Sequence, residues 1–108
     1  MPEPNDLVLV ISTTETRADA ERLAEALTER NLAACVQIDG PIHSHYRWAG
    51  QARVNPEYRL MIKSRHAVWP ELRDKLASLH PYDEPQIVML PIEATTPGYQ
   101  AWVVEQTS

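Results

Sequence analysis

The sequence predicts an α+β protein in which two helices pack on one antiparallel sheet. Segments rich in aliphatic and β-branched residues alternate with segments of helical periodicity in the order β-α-β-β-α-β, followed by a helical tail. The chain has 108 residues and a mass of 12.3 kDa, which suits one hydrophobic core but not two. We therefore predict a single domain over residues 1–108, with residues 1–6 flexible. Its predicted fold is a ferredoxin-like βαββαβ sandwich with a long central hairpin and a C-terminal helix.

The first strand and helix follow from an aliphatic run and a capping signal. Residues 7–13 (LVLVIST) are continuously apolar or β-branched, as expected for a strand covered on both faces. Thr16 with Asp19 three residues later fits a capping box, and a helix is predicted over residues 16–31. Its apolar stripe has the 3, 4 and 7 spacing of a helix and consists of Ala20, Leu23, Ala24 and Leu27.

The centre of the chain predicts one long bent hairpin. Residues 32–48 form its first arm, and Gly40-Pro41 interrupts this arm near the middle. Because proline has no N–H to donate, we expect a bulge or a sheet edge there. Residues 49–52 (AGQA) form the turn, and residues 54–64 return as the partner strand. Arms of about 14 and 11 residues extend roughly 35–45 Å, at about 3.3 Å per residue.

The length of this hairpin predicts assembly with other copies of the chain. A sheet in a domain of this size needs only about 5–6 residues per strand, so the rest must project beyond the helices. Ser44, Tyr46 and Trp48 share one face of the projecting arm, and an exposed aromatic face invites pairing with another chain. We expect an obligate homo-oligomer with interlocking hairpins. The alternative is a monomer whose hairpin is flexible.

The second half of the chain predicts a helix, a strand and a final helix. The helix covers residues 67–80, with Pro70 in its first turn, where proline is tolerated. The strand covers residues 86–93, and the final helix covers residues 97–106. The apolar stripe of the helix over residues 67–80 consists of Val68, Leu72, Leu76 and Leu79.

Composition excludes several classes of function. Ten lysine and arginine residues against fifteen aspartate and glutamate residues give a net charge of −5, without the basic cluster that nucleic acid binding requires. No apolar run is long enough to cross a membrane, and no signal peptide is recognisable. The single cysteine favours a reducing, cytoplasmic compartment. With three glycines and no known catalytic motif, the sequence predicts that the protein is not an enzyme.

The segment HPYDEP, residues 80–85, holds the most suggestive side chains. His80 follows the predicted helix, where an imidazole can cap carbonyl groups or bind copper or zinc. Tyr82 can pack its ring and find a partner for its hydroxyl. Asp83 and Glu84 form a solvated corner, because two carboxylates fall short of a calcium site.

Two further candidates lie in the hairpin. His43 and His45 share one strand face and could hold a transition metal between them, although so short a pattern arises by chance. Cys35 lies in the apolar context LAACV, which is typical of a buried cysteine. Nothing near Cys35 in the sequence would lower its pKa.

Five motifs together resemble the CutA family of divalent-cation tolerance proteins. They are LAAC (32–35), SHYRWAG (44–50), HPYDEP (80–85), IVMLPI (87–92) and Tyr99-x-x-Trp102, and the match runs in order over residues 7–104. The resemblance implies ferredoxin-like subunits in a tight homotrimer, held by long strands that pair between subunits. It also implies a link to copper and other divalent metals, a shape similar to the PII signalling proteins, and no established enzymatic activity.

The resemblance also implies which residues could form a site. The metal ligands proposed for a bacterial member are a cysteine at the position of Ser12 and a His-His pair that reads Leu79-His80 here. Only His80 matches, so His80 is the expected ligand of a weakly bound Cu²⁺ or Zn²⁺. Gln86 and Ala49 stand where the family often has acidic residues. The candidates for a cleft or ligand site are Cys35, Tyr46, Trp48 and Tyr82, and those for the trimer interface are Tyr46, Trp48 and Trp102.

Two functions follow as expectations. The first is a non-enzymatic trimeric divalent-cation tolerance protein that responds to metal ions. The alternative is a PII-like trimeric signalling or scaffold protein that binds a small metabolite or a protein partner.

Overall fold

The computed structural model describes all 108 residues. Four strands and three helices follow in the order β1 (Leu7–Thr14), α1 (Arg17–Glu29), β2 (Cys35–Trp48), β3 (Gln51–Arg65), α2 (Trp69–Leu79), β4 (Val88–Pro91) and α3 (Pro97–Gln106), with a 3-10 turn at His66–Val68. The strands form one antiparallel sheet in the order β2-β3-β1-β4. The predicted α+β fold, with its long hairpin and C-terminal helix, is confirmed. None of the three helices has the length and hydropathy that a membrane-spanning helix requires.

The core lies between one face of the sheet and helices α1 and α2. The hydroxyl of Thr16 accepts a hydrogen bond from the Asp19 N–H at 3.1 Å, which satisfies a free amide at the start of α1. The N-cap is therefore confirmed, whereas the second half of the predicted capping box does not form, because the Asp19 carboxylate accepts a hydrogen bond from Arg22 at 3.3 Å. Fully buried aliphatic side chains from β1, β3 and both helices fill this layer, and they include Val10, Leu23, Leu27, Leu60, Ile62, Leu72 and Leu76.

The predicted bulge in β2 is confirmed, and it reverses which side chains face each way. Asp39 lies opposite Arg59, whereas Ile42 lies opposite Glu57, so β2 advances three residues while β3 advances two. Because side chains alternate along a strand, one extra residue exchanges the two faces of β2 beyond Gly40.

The turn of the hairpin is shorter than expected. Only Ala49 and Gly50 lie outside the ladder, and both have positive φ, at 53° and 76°. This is the backbone of a tight type I′ turn, whose twist matches that of the flanking strands. Gln51 and Ala52 therefore pair with Trp48 and Arg47, and the prediction of a turn over residues 49–52 was wrong.

Helix α3 covers only one end of the sheet face that lies opposite α1 and α2, which we call the open face. Arg65 donates hydrogen bonds to the Thr107 hydroxyl and carbonyl, both at 2.9 Å, and Val103 is fully buried. The rest of the open face has no cover within the chain. Val88 and Leu90 of β4 remain 42% and 44% exposed.

Two predicted boundaries differ from the structure. The last strand is confined to Val88–Pro91, instead of residues 86–93, because it pairs only with residues 8–11 of β1. The arm expected from residue 32 becomes a strand only at Cys35, because Leu32 and Ala33 donate hydrogen bonds to the carbonyl of Leu27.

Candidate functional site

The segment HPYDEP lies where the sheet ends and the hairpin begins to project. His80 follows α2, is 8% exposed, and directs its ring to the last residues of β1. Its Nε2 lies 2.9 Å from the carbonyl oxygen of Thr13, and its Nδ1 lies 3.2 Å from the backbone nitrogen of Tyr82. Both ring nitrogens therefore have partners within the chain.

These two partners determine the proton on the His80 ring. A carbonyl oxygen can only accept, so Nε2 carries the hydrogen and donates it to Thr13. The Tyr82 N–H can only donate, so Nδ1 is unprotonated and accepts. Burial lowers the pKa of His80 below its ordinary value of 6.5, which favours this neutral form. Nδ1 is the only nitrogen with a lone pair that a metal could take, and it would have to give up the bond from Tyr82.

Tyr82 joins this segment to the hairpin. Its hydroxyl donates a hydrogen bond to Glu57 Oε2 at 2.6 Å. Burial raises the pKa of Tyr82 above its ordinary value of 10.0, and this bond to a carboxylate raises it further. The Tyr82 ring also contacts the His80 ring, with centroids 4.9 Å apart. The contact therefore fixes the loop after α2 against β3 opposite the bulge.

Glu57 is the site residue that the sequence analysis missed. It lies next to a proline in a strand, where no sequence motif distinguishes it from a solvated carboxylate. Only its position in the sheet distinguishes Glu57, because it pairs with Ile42 directly after the bulge. Asp83 and Glu84 are exposed and make no ion pair, in agreement with a solvated corner.

The other candidate residues lie apart from this segment. Tyr46 and Trp48 lie near the hairpin tip, 41% and 49% exposed, and the Tyr46 hydroxyl donates to Asn55. Cys35 lies at the other end of β2, opposite Lys63, and is half-buried rather than fully buried as its context indicated. Trp102 of α3 is 41% exposed and contacts Tyr99, with ring centroids 5.7 Å apart.

Within one chain, no group of three or more histidine, cysteine, aspartate or glutamate side chains is placed to hold a metal ion. His43 and His45 are exposed on one face of the hairpin, opposite Pro56 and Val54. They therefore remain a pair of imidazoles without a third ligand from the same chain.

Comparison with known proteins identifies the family. The family model described as CutA1 divalent ion tolerance protein matches residues 8–106. The chain belongs to the CutA family. The divalent-cation tolerance protein CutA of Thermus thermophilus is 37% identical over 99 residues, which cover 92% of this chain and 96% of that protein. Protein CutA of Mus musculus is 33% identical over 104 residues, which cover 96% of this chain but 59% of that longer protein.

Solved CutA structures share the fold over nearly their whole length. CutA from Xylella fastidiosa has a TM-score of 0.93 at 29% identity, covering 95% of this chain and 99% of that one. The Thermus thermophilus structure, named divalent cation tolerance protein (Cut A1), has a TM-score of 0.91 at 36% identity, covering 94% and 99%. The predicted family is confirmed.

The positions at which this chain departs from the CutA resemblance offer no replacement for the implied ligands. Ser12, which stands for the implied cysteine ligand, is fully buried on the helix side of β1, and its Oγ has no hydrogen-bond partner. Leu79 packs against the core, and its carbonyl accepts a hydrogen bond from Arg22 at 3.2 Å. Gln86 is exposed. Of the implied set, only His80 offers an imidazole.

Proposed function

We propose that the chain is a non-enzymatic, homotrimeric divalent-cation tolerance protein that acts in the cytoplasm in the response to metal ions. Membership of the CutA family carries this proposal, because a relative 37% identical over 92% of the chain bears the name divalent-cation tolerance protein. The single cysteine agrees with a reducing compartment.

The open face supports the homotrimer. Leu9, Ile11 and Met61 lie on this face and are only half-buried, and Val88 and Leu90 beside them are more exposed. A contiguous apolar sheet surface of this kind is typical of an interface between subunits.

The hairpin continues the same surface. Because of the bulge, Tyr46 and Trp48 lie on the same side of the sheet as Met61. Beyond Tyr58, which pairs with the last residue of β1, the outer edge of β3 has no strand beside it, so its backbone groups are free to pair with another chain. We therefore assign Tyr46, Trp48 and Trp102 to the trimer interface.

We place weak binding of Cu²⁺ or Zn²⁺ at His80, in a cleft completed by a neighbouring subunit. The bond from His80 Nε2–H to a backbone carbonyl is the kind of contact that orients a metal-binding imidazole. The metal would have to displace the Tyr82 N–H from Nδ1, which agrees with weak rather than tight binding. Tyr82, Tyr46, Trp48 and Cys35 are the candidates to line such clefts.

Two measurements test this proposal. Light scattering at micromolar protomer concentration should give three times the mass of 12.3 kDa, and a monomeric mass would refute the trimer. Calorimetric titration with Cu²⁺ and Zn²⁺ should show saturable binding that is lost in His80→Ala and kept in the control His66→Ala. Absence of saturable binding tighter than about 10 µM, which corresponds to roughly −7 kcal/mol, would refute a specific metal site.

A second candidate function is favoured by the partners of the His80 ring. Because both nitrogens are already hydrogen-bonded, the cleft is also suited to a ligand other than a metal ion. This observation favours a PII-like trimer that binds a small metabolite or a protein partner. A trimer that fails to bind either metal, but captures one metabolite from a defined mixture in a Tyr82-dependent manner, would support this alternative.

A further inference from the structure

The chain has a cavity at the end of the sheet opposite the hairpin. It has a volume of about 530 Å³, within the range of small-molecule sites. Its apolar lining includes Met89 and Ile92, which are half-buried, together with the buried residues Leu7 and Val8. None of these residues belongs to the His80 segment or to the exposed apolar surface assigned to the trimer. The cavity is therefore independent of the function proposed above.

The rim of this cavity carries negative charge, and several of its acceptors have no partner within the chain. Asp6 and Glu93 contribute carboxylates, His66 contributes an imidazole, and no lysine or arginine lines the cavity. The Asp6 carboxylate already accepts the Glu3 N–H at 2.8 Å, whereas Glu93 makes no hydrogen bond or ion pair within the chain. Gln100 donates one of its two Nε2 hydrogens to the carbonyl of Asn5 at 2.9 Å, and its Oε1 makes no hydrogen bond within the chain.

We propose that this cavity binds a small organic cation, in which an ammonium group meets Glu93 and Gln100 while an apolar body contacts the half-buried side chains of Met89 and Ile92. An ammonium group has donors only, so it matches a rim with free acceptors. A metal ion fits less well, because the chain has no group of three or more metal-ligating side chains. An anion would meet two carboxylates, and no lysine or arginine lines the cavity to offset their charge.

Three probes with one phenylethyl skeleton test the proposal on the full chain. Phenethylamine is cationic, 2-phenylethanol is neutral, and phenylacetate is anionic. In titrations followed by ¹H–¹⁵N NMR, phenethylamine should shift the amide signals of His66, Glu93 and Gln100 in a saturable manner. The alcohol should bind about two- to five-fold more weakly, which is the range of an exposed ion pair. Phenylacetate should bind weakest.

Two charge-removing variants complete the test. Glu93→Gln should reduce the affinity for phenethylamine to that for the alcohol. Glu105→Gln, an exposed carboxylate in α3 outside the cavity, is the matched control and should leave the affinity unchanged. Equal binding of amine and alcohol, shifts confined to other parts of the chain, unchanged affinity in Glu93→Gln, or no saturable shift would each overturn the proposal. These outcomes are separate from those of the metal titration at His80.

Discussion

The contact between Tyr82 and Glu57 makes the sharpest prediction about the candidate site. Tyr82→Phe removes the hydroxyl that donates to Glu57 Oε2 at 2.6 Å and leaves the ring packing against His80. A hydrogen bond to a charged group contributes about 1.5–3 kcal/mol to stability. Both side chains are only half-buried, and solvent screening reduces this value. We expect the free energy of unfolding to fall by about 1–2 kcal/mol.

The assay is a double-mutant cycle by urea unfolding at one fixed protomer concentration, because association adds to apparent stability. The cycle uses Tyr82→Phe, Glu57→Gln and the double variant, with an expected coupling energy of about 1 kcal/mol. Tyr58→Phe is the matched control, because Tyr58 is a half-buried residue that follows Glu57 in β3 and its hydroxyl makes no hydrogen bond. The control should change stability by less than about 0.5 kcal/mol. A coupling energy indistinguishable from zero, or an equal loss in Tyr58→Phe, would refute the assignment.

Three further predictions follow from the same region. Burial lowers the pKa of His80, so below pH 6.5 the unfolded chain takes up a proton that the folded chain does not. The free energy of unfolding should therefore fall as the pH falls through this range, and His80→Gln should flatten this pH profile, measured by urea unfolding. The pKa of Tyr82 is raised, so above pH 10.0 the tyrosine loses its proton in the unfolded chain before it does so in the folded chain. The free energy of unfolding should therefore fall as the pH rises above 10.0, and it should fall less steeply in Tyr82→Phe. A Cβ at Gly40, where φ is +142°, would lie 2.8 Å from the Glu57 carbonyl oxygen. Gly40→Ala should therefore lower the free energy of unfolding, measured by thermal unfolding, by about 1–3 kcal/mol. The control Gly98→Ala should not lower it, because a Cβ at Gly98 meets no atom within 4 Å.

The sequence predicted the fold well because local signals agreed with the tertiary structure. The capping pair Thr16 and Asp19, the apolar stripes and the Gly40-Pro41 interruption each determine backbone geometry within a few residues. The errors fell at element ends. The strand β4 pairs only with residues 8–11 of β1, and no property of residues 86–93 reveals that length. The two-residue turn depends on a positive φ at Ala49, which alanine seldom adopts.

The candidate site was only half predictable, for a different reason. HPYDEP has a distinctive composition, so His80 and Tyr82 were identified from the sequence. Their partners are a backbone carbonyl at Thr13 and a carboxylate at Glu57, which lie 67 and 25 residues away along the chain. A backbone carbonyl has no side-chain signature, and a lone carboxylate among fifteen has little. Contacts of this kind follow from the pairing register, and only the structure shows them.

The bulge at Gly40 determines which side chains the hairpin offers to a partner. Before the bulge, Asp39 shares the open face with Arg59; after it, even-numbered residues take that face, and these include Tyr46 and Trp48. In an unbulged strand, the odd-numbered residues would continue on the open face, and the aromatic rings would turn to the helix side. A single additional residue therefore extends the apolar surface of the sheet along the projecting ribbon. On the open face, Glu57 is the neighbour of Arg59 on the hairpin side, and its carboxylate accepts the hydrogen bond from the Tyr82 hydroxyl. This bond fixes the HPYDEP segment at the point where the apolar surface leaves the body of the chain.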